Sequence, residues 1–231
     1  MTTVVLVHGA FHDVWCWELV RRALDERGVP NLAPDLPFDG LDGDAKTVAA
    51  LLDVIDGPVV LCGHSYGGMV ISRAAAGRVD VDHLVYLCAV QVLDDAELAA
   101  TLQPTPTMEH FLVDEDVGTT VDPAFAAECF YHDCATDLAA AAVARLRPMR
   151  AGVGPIAPEG TEPVAPAWTT IDSTYVVCTG DRVVHPDTQR EMARHAGAVV
   201  EWDTSHSPML SRPDLVAGLL ADLASSAGGS S

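Results

Sequence analysis

Short runs of consecutive apolar, largely β-branched residues alternate along this chain with longer stretches of helical periodicity, and that alternation restricts the fold more than any other feature. The runs cover residues 4–7, 29–33, 59–62, 84–87, 175–178 and 199–202. Helical patterns cover 15–27, 45–55, 66–76, 186–196 and 213–223, with Pro186 and Pro213 suited to first helical turns, where no amide proton is wasted. Strands that are apolar throughout, rather than at every second position, are covered on both faces. The expected class is therefore α/β, a mainly parallel sheet flanked by helices. With 231 residues and 49% apolar composition, the chain suits one domain with a sizeable core.

The rhythm breaks between residues 90 and 170. That segment has helical pieces at 123–131 and 137–145, a proline-rich stretch at 148–166, and the apolar side chains Met108, Phe111, Phe125, Phe130, Tyr131 and Met149. An apolar, largely helical insertion between two strands reads as a lid over a pocket at the sheet edge. The expected organisation is a core from 1–89 and 171–224, a lid or cap from 90–170, and a flexible tail from 225–231, where Ser and Gly dominate.

Charge narrows the partners. Thirteen Lys and Arg against 33 Asp and Glu give a net charge of −20, without a basic stripe, so nucleic acid and anionic membranes are repelled. No run is long enough to span a bilayer, and the opening apolar run is too short for a secretory signal. Of six cysteines, Cys62, Cys88 and Cys178 end or follow apolar runs, where buried free thiols are ordinary. The expected setting is cytoplasmic. Nothing in the sequence selects between monomer and homodimer.

The chemistry centres on Gly63-His64-Ser65-Tyr66-Gly67, followed by Gly68. A bare G-x-S-x-G is a weak signal, but here it follows a strand run and opens a helical one, as a nucleophile elbow requires. Such a turn lifts the Ser65 hydroxyl above the sheet and sets the Tyr66 amide at a helix N-terminus, where it can meet a developing oxyanion. A second oxyanion donor is expected from Ala10, in the loop 8–12, where Gly9 lets backbone approach the serine. His8 is expected to shape that loop.

On this architecture the base comes late in the chain. Of nine histidines, His206 follows the last strand and precedes the closing helix. His64 neighbours the serine but points away from it on an elbow, while His185 and His195 lie at or within a helix. Asp181, after the preceding strand, is the expected acid, with Asp94 or Asp95 as the alternative. Gly9, Phe11, His12, Phe111, Phe125, Phe130, Tyr131 and Trp168 are the candidate pocket residues, which suits an apolar substrate.

Together, His8-Gly9-Ala10 with Trp15 and Trp17, the elbow, residues 177–181 and residues 206–213 resemble the branch of α/β hydrolases that holds plant methylesterases, hydroxynitrile lyases and bacterial carboxylesterases. The likeness extends to residues 137–148. It implies the triad Ser65, Asp181, His206, oxyanion amides at Ala10 and Tyr66, and esters of small aromatic or alkyl acids as substrates. The lyases carry a lysine directly after the catalytic histidine and a threonine in the oxyanion loop, where this chain has Ser207 and Gly9. Its one lysine, Lys46, lies far from either position, so the esterase reading is the one that fits.

No cofactor or metal is expected. Cys129, His132 and Cys134 lack the four-ligand spacing of a zinc site, and neither nucleotide-phosphate fingerprint occurs. The expected reaction is cleavage of a small apolar ester through an acyl-enzyme. Two alternatives stay open: a biosynthetic reaction on the same triad (C–C cleavage, lactonisation or rearrangement), and a non-catalytic relic that binds a small molecule.

Overall fold

A computed structural model describes residues 1–92, 95–150 and 165–227, the side chain of Asp95 excepted. In chain order the elements are β1 Thr3–Val7, α1 Glu18–Asp25, β2 Asn31–Leu32, α2 Leu41–Leu52, β3 Val59–His64, α3 Gly67–Ala74, β4 Val81–Leu87 and α4 Asp95–Thr101. There follow β5 Phe111–Asp114, β6 Gly118–Val121, α5 Pro123–Phe130, α6 Thr136–Val143, β7 Ser173–Cys178, α7 Pro186–Met192, β8 Ala198–Trp202, α8 Pro208–Ser211 and α9 Pro213–Ala227.

Six strands form one parallel sheet in the order β2-β1-β3-β4-β7-β8. Every residue of β3 and β7 is buried, as continuous apolar runs demand of strands covered on both faces. One helical layer pairs α1 with α9 and the other pairs α2 with α3; both α3 and α9 pack on β3. The 29–33 run contributes only Asn31–Leu32 to the sheet. Pro30 has no amide to donate, and Leu32 is partly exposed on an edge.

Strand order fixes where a site can form. From β1 the chain steps outward to β2, then returns to the other side of β1 as β3, so the connections diverge between β1 and β3. Open parallel sheets bind ligands at the carboxyl ends of such a pair. The loop after β1 begins at His8 and the turn after β3 holds Ser65.

The segment between β4 and β7 is helical in part, through α4, α5 and α6, but it also holds an antiparallel hairpin that its periodicity did not announce. Its strands have four residues each. The turn is chemical rather than apolar: Asp114 Oδ1 accepts from the amides of Asp116 and Val117 at 2.9 Å each, and Gly118 takes φ +102°. Buried residues from this segment, among them Phe130, Tyr131 and Met149, join the same core as the sheet. Most of the proline-rich stretch lies outside the described residues. Helix α9 runs to Ala227, into the stretch read from sequence as tail. Among the described residues, no helix is long and apolar enough to cross a membrane.

Candidate active site

Ser65 stands at φ +52°, a left-handed backbone that a serine adopts only when its surroundings impose it. Those surroundings are close. The Ser65 amide donates to Leu87 C=O at 3.3 Å, and its carbonyl accepts from the amides of Gly68 and Val90 at 3.0 Å each. A Cβ on Gly67 would lie 2.6 Å from Val7 C=O, and one on Gly9 would lie 2.8 Å from Ser65 Cβ. The elbow and the loop after β1 therefore meet backbone to backbone. Among the described residues, neither the Ala10 nor the Tyr66 amide has an acceptor. The Tyr66 ring is held from below, its hydroxyl donating to buried Asp44 at 2.7 Å while Asp44 also accepts from the Phe38 amide.

His206 and Asp181 reach each other from the loops after β8 and β7. His206 Nδ1 donates to Asp181 Oδ2 at 2.7 Å, with both side chains almost wholly buried. The two loops are stitched together by Gly180 N–H to Thr204 C=O at 3.0 Å. Asp181 Oδ1 accepts from the amides of Val183 and Val184, and Oδ2 also accepts from Gln189 Nε2 at 2.8 Å. A buried carboxylate is thus fully hydrogen-bonded. The alternative acids fall outside the description, Asp94 wholly and Asp95 in its side chain.

Two residues here escaped the sequence reading. Gln189 lies wholly buried on α7, in register with Met192 and Ala193; a glutamine in an apolar stripe is the one signal that could have marked it. His64 is wholly buried, and its Nε2 donates to the carbonyl of His206 at 2.8 Å, 142 residues away. Cys88 Sγ donates to the same carbonyl at 3.4 Å. The His64 and His206 rings lie 4.7 Å apart between centroids, which brings the residue next to Ser65 against the candidate base. Ser65 Oγ itself hydrogen-bonds none of the described residues; in ligand-free sites such contacts are often long and tighten around substrate. Burial keeps His64 neutral, its pKa far below the usual imidazole range, and a charge on His206 adds to that effect.

His12 is also buried and neutral, its pKa lowered to about 3, chiefly by desolvation. Phe11, Phe111 and Phe130 form an apolar wall: Phe11 stacks on Phe111 at 5.6 Å and meets Phe130 edge-on at 6.1 Å, and Phe130 lies 5.8 Å from the His206 ring. Tyr131 joins through its hydroxyl, 2.7 Å from His12 Nε2. Two candidate pocket residues make other contacts. Phe125 is 43% exposed and stacks on His110. Trp168 stacks on His195 just before β7 begins, at the opposite ends of the strands from Ser65. The aromatic character of Trp168 was legible; the end of the sheet it occupies was not.

His64, Cys88 and His206 are the one group of metal-ligating type whose atoms converge among the described residues, within 4.8 Å. Two of them already donate to the carbonyl of the third, so the cluster is accounted for by hydrogen bonds. Cys129, His132 and Cys134 do not converge in this way among the described residues.

Residues 4–219 match the alpha/beta hydrolase family. This chain belongs to the alpha/beta hydrolase family. It is 32% identical to an alpha/beta hydrolase of Aspergillus novofumigatus over 73% of this chain and 71% of that one. It is 27% identical to methylesterase 3 of Arabidopsis thaliana, covering 96% and 95%. The solved structure of a pyrethroid hydrolase from Sphingobium faniae JZ-2 superposes with a TM-score of 0.78 at 28% identity, covering 97% of each chain.

Proposed function

We propose that this alpha/beta hydrolase is a serine esterase that cleaves a small apolar carboxylic ester through an acyl-enzyme. The observation that carries the reading is the buried 2.7 Å His206–Asp181 pair, whose loop is tied by hydrogen bond to the residue beside a serine held at φ +52°.

In the reaction, His206 Nε2 takes the Ser65 proton as Oγ attacks the ester carbonyl. Asp181, fixed on Nδ1, selects the tautomer and stabilises the imidazolium. The tetrahedral oxyanion accepts from the Ala10 and Tyr66 amides, the second at the start of α3. His206 then protonates the departing alcohol. Water, deprotonated by the same imidazole, attacks the acyl carbonyl and releases the acid, restoring Ser65.

The apolar wall of Phe11, Phe111 and Phe130 favours an aryl or alkyl group over a charged one. Relatives named pyrethroid hydrolase and methylesterase support an ester as substrate. A net charge of −20 fits an uncharged small molecule better than nucleic acid or an anionic membrane, and six free cysteines fit a reducing, cytoplasmic setting.

Ser65→Ala is expected to lose turnover of an activated ester such as nitrophenyl acetate by about a millionfold, by analogy with triad deletions. Intact mass after a fluorophosphonate probe should gain one adduct in the native chain and none in the variant, and acid and alcohol should form in equal amounts. A variant that keeps its rate would overturn the assignment. Labelling with unequal products would move the triad to a biosynthetic reaction.

A further inference from the structure

Four consecutive carbonyls in the loop after β1 are each tied down. Gly9 C=O accepts from His8 Nδ1 at 2.9 Å and Ala10 C=O from His12 Nδ1 at 2.8 Å. Phe11 C=O accepts from the Arg147 backbone amide, and His12 C=O from Arg147 Nε, both at 2.9 Å. Between them Phe11 sits at φ +65°, a conformation that an L-residue adopts only where its surroundings impose it.

The imposing groups are themselves held. With Nδ1 facing a carbonyl, His12 carries its proton there, so Nε2 is an acceptor and takes the Tyr131 hydroxyl at 2.7 Å. Arg147 also donates through Nη2 to Asp35 at 2.6 Å and to Leu36 C=O at 2.9 Å, with its guanidinium 4.7 Å over the Phe38 ring. Tyr131 and Arg147 both belong to the segment between β4 and β7. The Ala10 amide is among the loop amides without an acceptor in the described residues, and its peptide plane is the one His8 fixes at the Gly9 carbonyl.

We infer that Tyr131 and Arg147 are positioning residues, which hold the loop after β1 so that the Ala10 amide stays aimed at the oxyanion. The segment between β4 and β7 then sets the rate of the chemical step as well as the fit of the substrate. This rests on the serine-esterase reading. An oxyanion donor contributes because it is oriented before the charge develops, and a displacement of about 1 Å at such a point costs on the order of a hundredfold.

Tyr131→Phe removes only the hydroxyl that His12 accepts, and Arg147→Lys keeps the charge but loses the fork that binds His12, Asp35 and Leu36 together. Steady-state rates on a nitrophenyl ester, and affinity for an alkyl or aryl boronic acid that forms a tetrahedral adduct on Ser65, are measured for both. Val113→Ser, on an exposed hairpin position of the same segment, is the control. Each test variant is expected to lose about 10- to 100-fold in kcat with KM within about twofold, and boronate affinity is expected to fall in proportion to kcat/KM. The control should match the native chain. If Tyr131→Phe fails to fold, Arg147→Lys, whose side chain is part exposed, decides alone. Unchanged kcat and boronate affinity in an active native enzyme, or a rise in KM alone, overturns the inference and leaves the esterase reading standing. A native chain that neither hydrolyses the ester nor takes up the fluorophosphonate overturns both.

Discussion

A serine at φ +52°, a phenylalanine at φ +65° and four buried imidazoles, those of His8, His12, His64 and His206, gather at this site. The imidazoles divide the labour. His206 has a carboxylate partner, whereas His12 and His64 face carbonyls and rings and are held neutral by burial. That difference has a measurable sign. Below pH 6.5 the unfolded chain protonates His12 and His64, while folded His12 resists until about pH 3 and His64 resists likewise. The unfolded state then binds more protons, so stability is full above pH 6.5 and falls as pH drops, by up to about 1.4 kcal/mol per pH unit for each histidine. Urea midpoints taken at pH 7, 6 and 5 should fall steadily, and His64→Gln, which keeps a donor but cannot titrate, should fall less steeply. Parallel slopes in the two proteins would mean that His64 is not kept neutral. Residue types alone marked Ser65, Asp181 and His206, because an elbow and two post-strand loops are local patterns. They left Gln189 and His64 unmarked as partners, because nothing within either helix or strand says what a buried amide or imidazole will meet.

Among the elements, the loop carrying His206 is braced by the segment that follows α5. Asp133 Oδ2 accepts from the Ser205 amide at 2.8 Å, and Ser205 Oγ donates to Phe130 C=O at 3.1 Å. A hydrogen bond to a charged acceptor contributes about 1.5–3 kcal/mol. Asp133→Ala should therefore lower stability to urea by about that amount, while Asp133→Asn, which keeps an oxygen acceptor, should recover much of it. Equal losses in both variants would show that the Ser205 contact is not what Asp133 provides. Elements with strong periodicity matched their expected positions: β3, β7, α7 and α9 begin within two residues of the predicted runs or on them, the prolines opening α7 and α9 as anticipated. The weak elements did not. Strand β2 shrank because Pro30 cannot donate, and the β5–β6 hairpin went unread because its turn is made by the Asp114 carboxylate and Gly118 rather than by an apolar pattern.

For the whole molecule, one contiguous core includes Val60 and Tyr175 of the sheet together with Phe130, Tyr131 and Met149 of the intervening segment. Elements that share a core open together. Heating should give a single transition with calorimetric and van't Hoff enthalpies in agreement, and a separate low-temperature step from the segment between β4 and β7 would contradict a shared core. The sequence by itself determined the sheet, the turn at Ser65 and the places of Asp181 and His206 in loops after strands, since each depends on residues adjacent in the chain or on the period of burial. Tertiary structure alone decided which carbonyl His64 meets, which carboxylate Gln189 steadies, how Arg147 and Tyr131 pin the loop after β1, and that Trp168 lies at the far ends of the strands. Those outcomes depend on where segments up to 142 residues apart come to rest against one another. A hydrogen bond needs an angle and a distance of about 3 Å, and no local pattern fixes either across that span.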